Sequence, residues 1–169
     1  KLPNCELFEV MKERGYRHLY HANSVATSLT FIKEGGLLSR GAVETKGLNQ
    51  TPQYSDQNDK FHDVWDDVFL DTTDLHARFR RRNSYGPVLF EFDIEALLND
   101  SYDLWITRSN PAKWGSLMKI YDSKKYFNSI EEFCKAWDVG VNTWEMMFTI
   151  RKNHDTVLFD KLRRIVVDD

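Results

Sequence analysis

Apolar and polar positions change their pattern several times along the chain, and each change predicts an element. Leu7, Val10 and Met11 share one face of a helix over 7–14, which Gly15 would end. The short apolar stretch from His18 to His21 then favours a strand. The chain therefore opens with a predicted helix and a predicted strand.

A second helix is predicted directly after this strand. Either Asn23 or Ser24 can cap it, because its side-chain oxygen can accept from the exposed amides of the first turn. Gly35 and Gly36 would end it. Apolar residues recur at helical spacing between the cap and the end, namely Val25, Leu29 and Ile32.

The middle of the chain alternates between polar stretches and short apolar strands. The stretch 39–63 is polar and without clear period, which is typical of a functional loop or a mobile lid. The apolar run at 68–70 predicts a buried strand, and 88–93, which alternates toward its end, predicts another strand. Ser129 with Glu132 forms a capping box that opens a late helix. The remaining predicted strands are at 104–107, 144–150 and 164–167. We predict one α+β domain over 1–169, with a split, mostly antiparallel sheet and flanking helices.

Composition restricts the class of protein. The 169 residues suffice for about one domain with a real core. No apolar run approaches the roughly 20 residues that cross a bilayer, so no membrane partner is expected. The two cysteines, Cys5 and Cys134, lack metal-type spacing; we expect free thiols and a cytoplasmic location.

Charge argues against broad, nonspecific nucleic-acid binding, because the formal net charge is −3. A local basic cluster is nevertheless present at Arg78, Arg80, Arg81 and Arg82. Such a run usually forms a solvated loop. Its place beside the predicted pocket makes these arginines candidate phosphate contacts, with Tyr85 as an aromatic that could stack on a base.

His21 is the first candidate for chemistry. A histidine at a strand end, followed by Asn23 and Ser24, can donate to a ribose hydroxyl while nearby backbone amides meet a carboxamide. The alternative is a half-buried histidine satisfied by a carbonyl oxygen, and position alone favours that alternative.

Glu145 is the second candidate, because it is the only charged residue in the apolar stretch 144–150. An isolated buried carboxylate costs several kcal/mol unless it is paired or protonated. Proteins keep that cost most readily where the carboxylate is used. Glu145 could equally lie on the solvent face of the strand, paired with an arginine such as Arg163, and both interpretations stay open.

Acidic residues between 56 and 74, with His62 and His76, form the third candidate. Carboxylates beside histidines could hold Mg²⁺ or Mn²⁺, but neither two-metal spacing nor a ligand pair on one helix is visible, so we predict no metal. Polar residues 71–74 directly after a buried strand are more specific, since such positions commonly line a pocket.

Three blocks of the chain together resemble a known family. They are 19–23 with 29–38, then 66–75, and finally 144–148 with 162–167. All three are similar to parts of the DarT-type toxins. The first resembles their opening strand, helix and Gly-Leu turn, and the second resembles the strand and loop that receive the nicotinamide. The third resembles their strand with the catalytic glutamate and their closing strand. These toxins are bacterial ADP-ribosyltransferases that act on nucleic acid.

The resemblance implies an ADP-ribosyltransferase-like fold and NAD consumed as a substrate without a metal. His21 would contact the adenosine ribose, the backbone of Ala22 the nicotinamide carboxamide, and Phe69 would stack near the nicotinamide. Glu145 would hold the nicotinamide ribose and stabilise the positive charge that develops there, so His21 and Glu145 are the catalytic residues implied. The cofactor-binding residues implied are Tyr20, His21, Ala22, Asn23, Leu37, Arg40, Lys60, Phe69, Asp71 and Thr72.

The chain departs from the family at the NAD phosphates. The family usually carries an arginine in the loop before the second block, whereas 53–60 contains none. Lys60 or Arg40 would substitute, although a lysine offers a point charge where an arginine offers a fork. The second block also lacks the family's Tyr-Phe-Asn/Pro signature.

The resemblance therefore implies an NAD-dependent toxin or defence enzyme that transfers ADP-ribose to a base of single-stranded DNA or RNA, with an antitoxin as a possible partner. One alternative changes the acceptor to protein or to an RNA 2′-phosphate. The other is a non-catalytic binding domain of a toxin–antitoxin complex.

Overall fold

The computed structural model describes residues 1–79, 86–119, 122–140 and 143–168. Its α-helices are α1 (Asn4–Glu13), α2 (Val25–Glu34), α3 (Arg40–Thr45), α4 (Asp56–Phe61), α5 (Leu75–Arg78), α6 (Asp122–Lys125) and α7 (Ile130–Asp138). Its strands are β1 (His18–Asn23), β2 (Val68–Leu70), β3 (Val88–Asp93), β4 (Leu104–Ile106), β5 (Phe148–Ile150) and β6 (Leu162–Val167). Short 3₁₀ helices lie at Ile94–Leu98, Pro111–Lys113, Ser116–Lys119, Thr143–Glu145 and Phe159–Lys161.

The strands form two antiparallel three-stranded sheets, with the orders β1-β3-β6 and β2-β5-β4. An isolated bridge connects them: the N–H of Tyr20 in β1 donates to the carbonyl of Asp71 at 2.8 Å, and the N–H of Asp71 donates back to Tyr20 at 2.8 Å. The predicted α+β class and the split antiparallel sheet are confirmed. The ADP-ribosyltransferase-like fold itself stays a prediction.

The core lies between the two sheets and the helices packed on them. Strand β3 is the central strand of the first sheet and is buried at five consecutive positions, Val88 to Phe92. Aromatic rings from both sheets and from two helices meet there, at Phe90, Phe92, Phe148, Phe31 and Phe133. Glu91 interrupts the apolar run at the five buried positions of β3, and its buried carboxylate pairs with Arg164 of β6 at 2.7 Å.

Helix α2 shows the opposite of the expected arrangement. The three apolar residues whose spacing predicted it face solvent, with exposed fractions of 51% for Val25, 50% for Leu29 and 46% for Ile32, whereas Phe31 is buried. The buried face is mainly polar, because hydrogen bonds attach it to the next loop: Thr27 accepts from the N–H of Thr51 at 3.0 Å. Helical spacing thus located the helix but not the face that it buries.

Two other predictions need correction. The stretch 39–63 is not irregular throughout, since it contains α3 and α4, and the Ser39 hydroxyl caps α3 by accepting from Ala42 at 3.1 Å. The strand expected at 144–150 is confined to Phe148–Ile150, and Thr143–Glu145 is a 3₁₀ helix. Short capped helices have too few turns to show a period in the sequence.

Two further observations bear on the expected class of protein. Cys5 and Cys134 are both free thiols. Within the described residues, none of the helices combines the length and the apolar character that a membrane span requires.

Candidate functional site

A cavity of about 640 Å³ opens where the ends of β1 and β2 meet the loop around α4. Ligand pockets usually hold roughly 300–1,000 Å³, so this one has room for a nucleotide-sized molecule. Six of the predicted cofactor-binding residues line it, namely His21, Ala22, Asn23, Arg40, Phe69 and Asp71.

The imidazole of His21 joins the two sheets at the cavity wall. Its Nδ1 lies 2.9 Å from the carbonyl oxygen of Phe69, and its Nε2 lies 3.3 Å from Nδ2 of Asn23. A carbonyl can only accept, so Nδ1 carries the hydrogen and Nε2 accepts. Burial lowers the pKa of His21, which keeps the ring neutral.

The alternative that a carbonyl satisfies His21 is therefore confirmed, although the ring also lines the cavity. The hydrogen-bonding role expected from the sequence changes accordingly. Because Nδ1–H is used by Phe69 and the lone pair of Nε2 is used by Nδ2 of Asn23, a ligand that bonds to His21 must replace the 3.3 Å contact with Asn23. The ring could then accept a hydrogen bond from a ribose hydroxyl, but it has no second N–H to donate.

Asn23 and Gly86 close one side of the cavity. The amide of Asn23 is buried, and its Oδ1 accepts from the backbone of Ser24 at 2.9 Å. Gly86 has a φ of +99°, and a Cβ there would lie 2.3 Å from the carbonyl carbon of Asn23. The wall at this point is therefore backbone packed directly on backbone.

Arg40 is the cation of the cavity wall. It forms a two-point ion pair with Asp56, with Nε–Oδ1 at 2.8 Å and Nη2–Oδ2 at 2.9 Å. Nη2 also donates to the carbonyl of Thr51 at 3.0 Å, and the guanidinium lies 5.2 Å from the ring centre of Trp65. These contacts hold the fork in one orientation.

Lys60, the other proposed substitute for the family's arginine, is placed elsewhere. Its ammonium pairs with Glu44 at 2.9 Å and lies 4.3 Å from the ring centre of Trp65. It does not line the cavity. Of the two candidates, Arg40 is the one that a ligand in the cavity could reach.

Removing the partner of Arg40 should destabilise the fold. The two side chains are only 15% and 18% exposed, so Asp56→Ala leaves a poorly solvated cation, and we expect a loss of about 2–4 kcal/mol in the free energy of unfolding. Asp138→Ala is the matched control, because Asp138 pairs with Arg14 but is 66% exposed and should cost less than about 1 kcal/mol. Urea unfolding compares the two, and equal losses would contradict the importance of the Arg40 pair.

Three carboxyl groups line the cavity, those of Asp59, Asp67 and Asp71. Burial raises the pKa of Asp59 to about 6, against the hydrogen bond that it accepts from the Ser55 hydroxyl at 3.0 Å. Burial also raises the pKa of Asp67 to about 6, although Arg151 lies 3.3 Å away. Both belong to the acidic stretch 56–74 that the sequence analysis considered for a metal ion, and tertiary packing places them at the cavity.

Asp71 differs from the other two acids. Its side chain has neither a hydrogen bond nor an ion pair to any residue in the described part of the chain, while its backbone is fixed by the two hydrogen bonds to Tyr20. Burial alone raises its pKa to about 7. A carboxyl group that titrates near neutral pH and faces a cavity is suited to exchanging protons.

Glu145 lies in the 3₁₀ helix Thr143–Glu145, not at the mouth of a strand. Its carboxylate pairs with Lys113 at 2.5 Å and is 14% exposed. Arg163, the partner considered from the sequence, instead lies 3.4 Å from Asp93. Glu145 is not among the cavity-lining residues, although Met147, two residues on, is.

Two cationic side chains lie close to the ring of Trp144. The guanidinium of Arg78 lies 4.7 Å and the ammonium of Lys113 lies 5.2 Å from its ring centre. Both side chains are exposed. The other residues of the predicted nucleic-acid contact, Arg80, Arg81, Arg82 and Tyr85, lie outside the described residues.

Three further predicted cofactor-binding residues do not line the cavity. Leu37 is fully buried and pairs with Val157, while its neighbour Leu38 faces the cavity. Thr72 is buried, and Tyr20 is half-buried with its backbone bonded to Asp71.

In the parts of the chain that the structure describes, no three His, Cys, Asp or Glu side chains are grouped as a metal ion would need.

Comparison with known proteins assigns no activity to this cavity. No protein-family model matches the chain, and no curated protein matches its sequence. What the cavity can do is therefore inferred from its own residues.

Proposed function

We propose that the protein is an ADP-ribosyltransferase that consumes NAD and transfers ADP-ribose to a base of single-stranded DNA or RNA. One observation carries the proposal: six residues from three parts of the chain, expected from the sequence to bind NAD, line one cavity of about 640 Å³. They are His21, Ala22, Asn23, Arg40, Phe69 and Asp71.

The residues of the cavity suit the parts of a dinucleotide. Nε2 of His21 can accept from a ribose hydroxyl, and Phe69 offers a ring beside it for the nicotinamide. Arg40 is the only cation among the described lining residues, so the pyrophosphate would lie against it. The Arg40 guanidinium is already oriented by Asp56, so its side chain loses little conformational entropy when it binds a phosphate.

The reaction separates nicotinamide from the ribose and passes through an oxocarbenium-like state, as in glycoside hydrolysis. A preorganised carboxylate near that developing positive charge is a large electrostatic aid. Glu145 would supply it; it lies two residues before the cavity-lining Met147, and its carboxylate pairs with Lys113.

The surroundings of Trp144 support a nucleic-acid acceptor. An aromatic ring with exposed cations around it can stack on a base while the cations meet the phosphates. Arg78 and Lys113 provide that arrangement at Trp144. A toxin of this kind would require an antitoxin in its cell.

Labelled NAD incubated with separate pools of single-stranded DNA, RNA and protein tests the proposal. We expect label on nucleic acid, and a loss of at least about 100-fold with Glu145→Ala in a folded protein. Glu131→Ala is the control, because it removes a similar Glu–Lys pair, at 2.6 Å to Lys135, from the exposed face of α7. Unchanged labelling with Glu145→Ala would remove Glu145 from the mechanism.

One observation favours a second candidate function. His21 and Arg40 line the cavity whereas Glu145 does not, which suits an NAD-dependent transferase acting on an RNA 2′-phosphate through basic residues. That candidate gains if His21 and Arg40 prove essential while Glu145 is dispensable. A protein acceptor would appear as label in the protein pool. A melting temperature that NAD does not change would favour a non-catalytic binding domain.

A further inference from the structure

We infer that Asp71 is the general base of the transfer step, the group that takes the proton from the attacking nitrogen of the acceptor base. This inference rests on the proposed function. It gives Asp71 a catalytic role in addition to contact with NAD, and it separates proton transfer from the charge stabilisation assigned to Glu145.

Asp71 lies on the same side of the chain as Phe69. Residues two apart on extended backbone point to the same face, and both Phe69 and Asp71 line the cavity. The nicotinamide end of NAD, which the proposal places at Phe69, would therefore lie beside the Asp71 carboxylate. The backbone of Asp71 is held by its two 2.8 Å hydrogen bonds to Tyr20, so the carboxylate projects from a fixed frame.

Asp71 differs from the other two cavity acids in its hydrogen-bond partners. Asp67 is occupied, because the N–H of Lys152 donates to it at 3.0 Å and Arg151 pairs with it at 3.3 Å. Asp59 accepts from the hydroxyl of Ser55 at 3.0 Å. Among the described residues, no side chain or backbone group donates to the Asp71 carboxylate, in contrast to Asp67 and Asp59.

The proton affinity of Asp71 suits this role. Burial raises its pKa to about 7, close to the pH at which a base is most effective. Other titratable or charged groups that line the same cavity are His21 on β1, Arg40 on α3, Asp59 on α4 and Asp67 before β2. Burial keeps His21 neutral, so the imidazole does not compete as a cation.

The step balances as follows in atoms and charge. The acceptor nitrogen forms a bond to C1′ of the nicotinamide ribose while the bond from C1′ to the nicotinamide nitrogen breaks. The electron pair of the broken bond leaves with nicotinamide, which becomes neutral. The proton of the acceptor N–H passes to the Asp71 carboxylate and is then released to water.

Asp71→Asn tests the role, because it keeps the shape of the side chain and removes the base. Both proteins are incubated with labelled NAD and the acceptor pool that the wild type labels. We expect the transfer rate of Asp71→Asn to be at least about 100-fold below that of the wild type, while its Kd for NAD changes less than about threefold. The wild-type rate should rise with pH and level off above about 7, and the variant should lack that limb. Asp63→Asn is the control, because the Asp63 side chain is 83% exposed.

The outcomes separate the two proposals. Wild-type protein that neither binds nor consumes NAD overturns the proposed function and this inference together. An active wild-type protein whose Asp71→Asn variant transfers ADP-ribose at an unchanged rate overturns this inference alone. The wild-type pH profile needs no variant, so a profile without an inflection between about pH 6 and 8 overturns it even if the variant does not fold.

Discussion

Gly86→Ala is expected to lower the free energy of unfolding by more than about 3 kcal/mol, a large part of the roughly 5–15 kcal/mol that stabilises a domain. Gly86 has a φ of +99°, and its added Cβ would lie 2.3 Å from the carbonyl carbon and 2.4 Å from the carbonyl oxygen of Asn23. The obstacle is backbone, which cannot move aside as a flexible side chain can. The cavity wall formed by Asn23 and Gly86 would have to separate.

Gly15→Ala supplies the comparison. Gly15 has a similar φ of +85°, but a Cβ there meets nothing within 4 Å, so the substitution adds backbone strain without a collision. We expect it to cost about 1–2 kcal/mol. Urea unfolding of both variants measures the difference, and equal losses would mean that the chain around Gly86 moves away at little cost.

Asp71→Asn is expected to stabilise the protein in a pH-dependent way, independently of any activity. The pKa of Asp71 is about 7 in the folded chain against 3.8 for an ordinary aspartate, so folding becomes less favourable as the pH rises between these values. Asparagine does not ionise and escapes this loss. The gain should be near zero at about pH 4 and reach on the order of 2–4 kcal/mol above about pH 7.

Melting temperatures of the wild type and Asp71→Asn over pH 4–8 measure this gain. At about 2–4 °C per kcal/mol for a chain of this size, the difference at pH 8 should be roughly 5–15 °C. Asp63→Asn should show no comparable trend, because the Asp63 side chain is 83% exposed. A difference between wild type and Asp71→Asn that does not vary with pH would mean that the carboxyl group is solvated.

Local signals in the sequence located most of the long elements. The hydroxyl of Ser24 caps α2 by accepting from Thr27 at 3.4 Å, and that of Ser129 caps α7 by accepting from Glu132 at 3.1 Å. Ser129 was predicted as a cap, and Ser24 was one of two candidates beside Asn23, because a cap depends on neighbouring residues alone. The buried face of α2 depends on the loop that packs on it, and spacing within the helix contains no information about that loop.

The candidate site was predictable where it depends on strand ends. Asp71 was singled out because it lies just past the end of β2, and it lines the cavity. His21 was expected at the end of a strand over 18–21; β1 continues to Asn23, but His21 lines the cavity as well. Asp59 was not singled out for the pocket, because α4 is short and the packing of the chain carries it to the cavity. Glu145 was placed on a strand because Trp144 and Met146 to Phe148 are apolar, yet the chain turns through a 3₁₀ helix before β5 begins.

The bridge between Tyr20 and Asp71 has a mechanical consequence. Where the two sheets meet at the cavity, His21 belongs to the first sheet and its neighbour Phe69 belongs to the second. The sheets are joined beside the cavity by the Tyr20–Asp71 peptide pair and by the imidazole of His21 on the carbonyl of Phe69. A shift of one sheet relative to the other at this junction would change the shape of the cavity. The hydrogen bonds that join the sheets therefore also determine how tightly the cavity can hold a ligand.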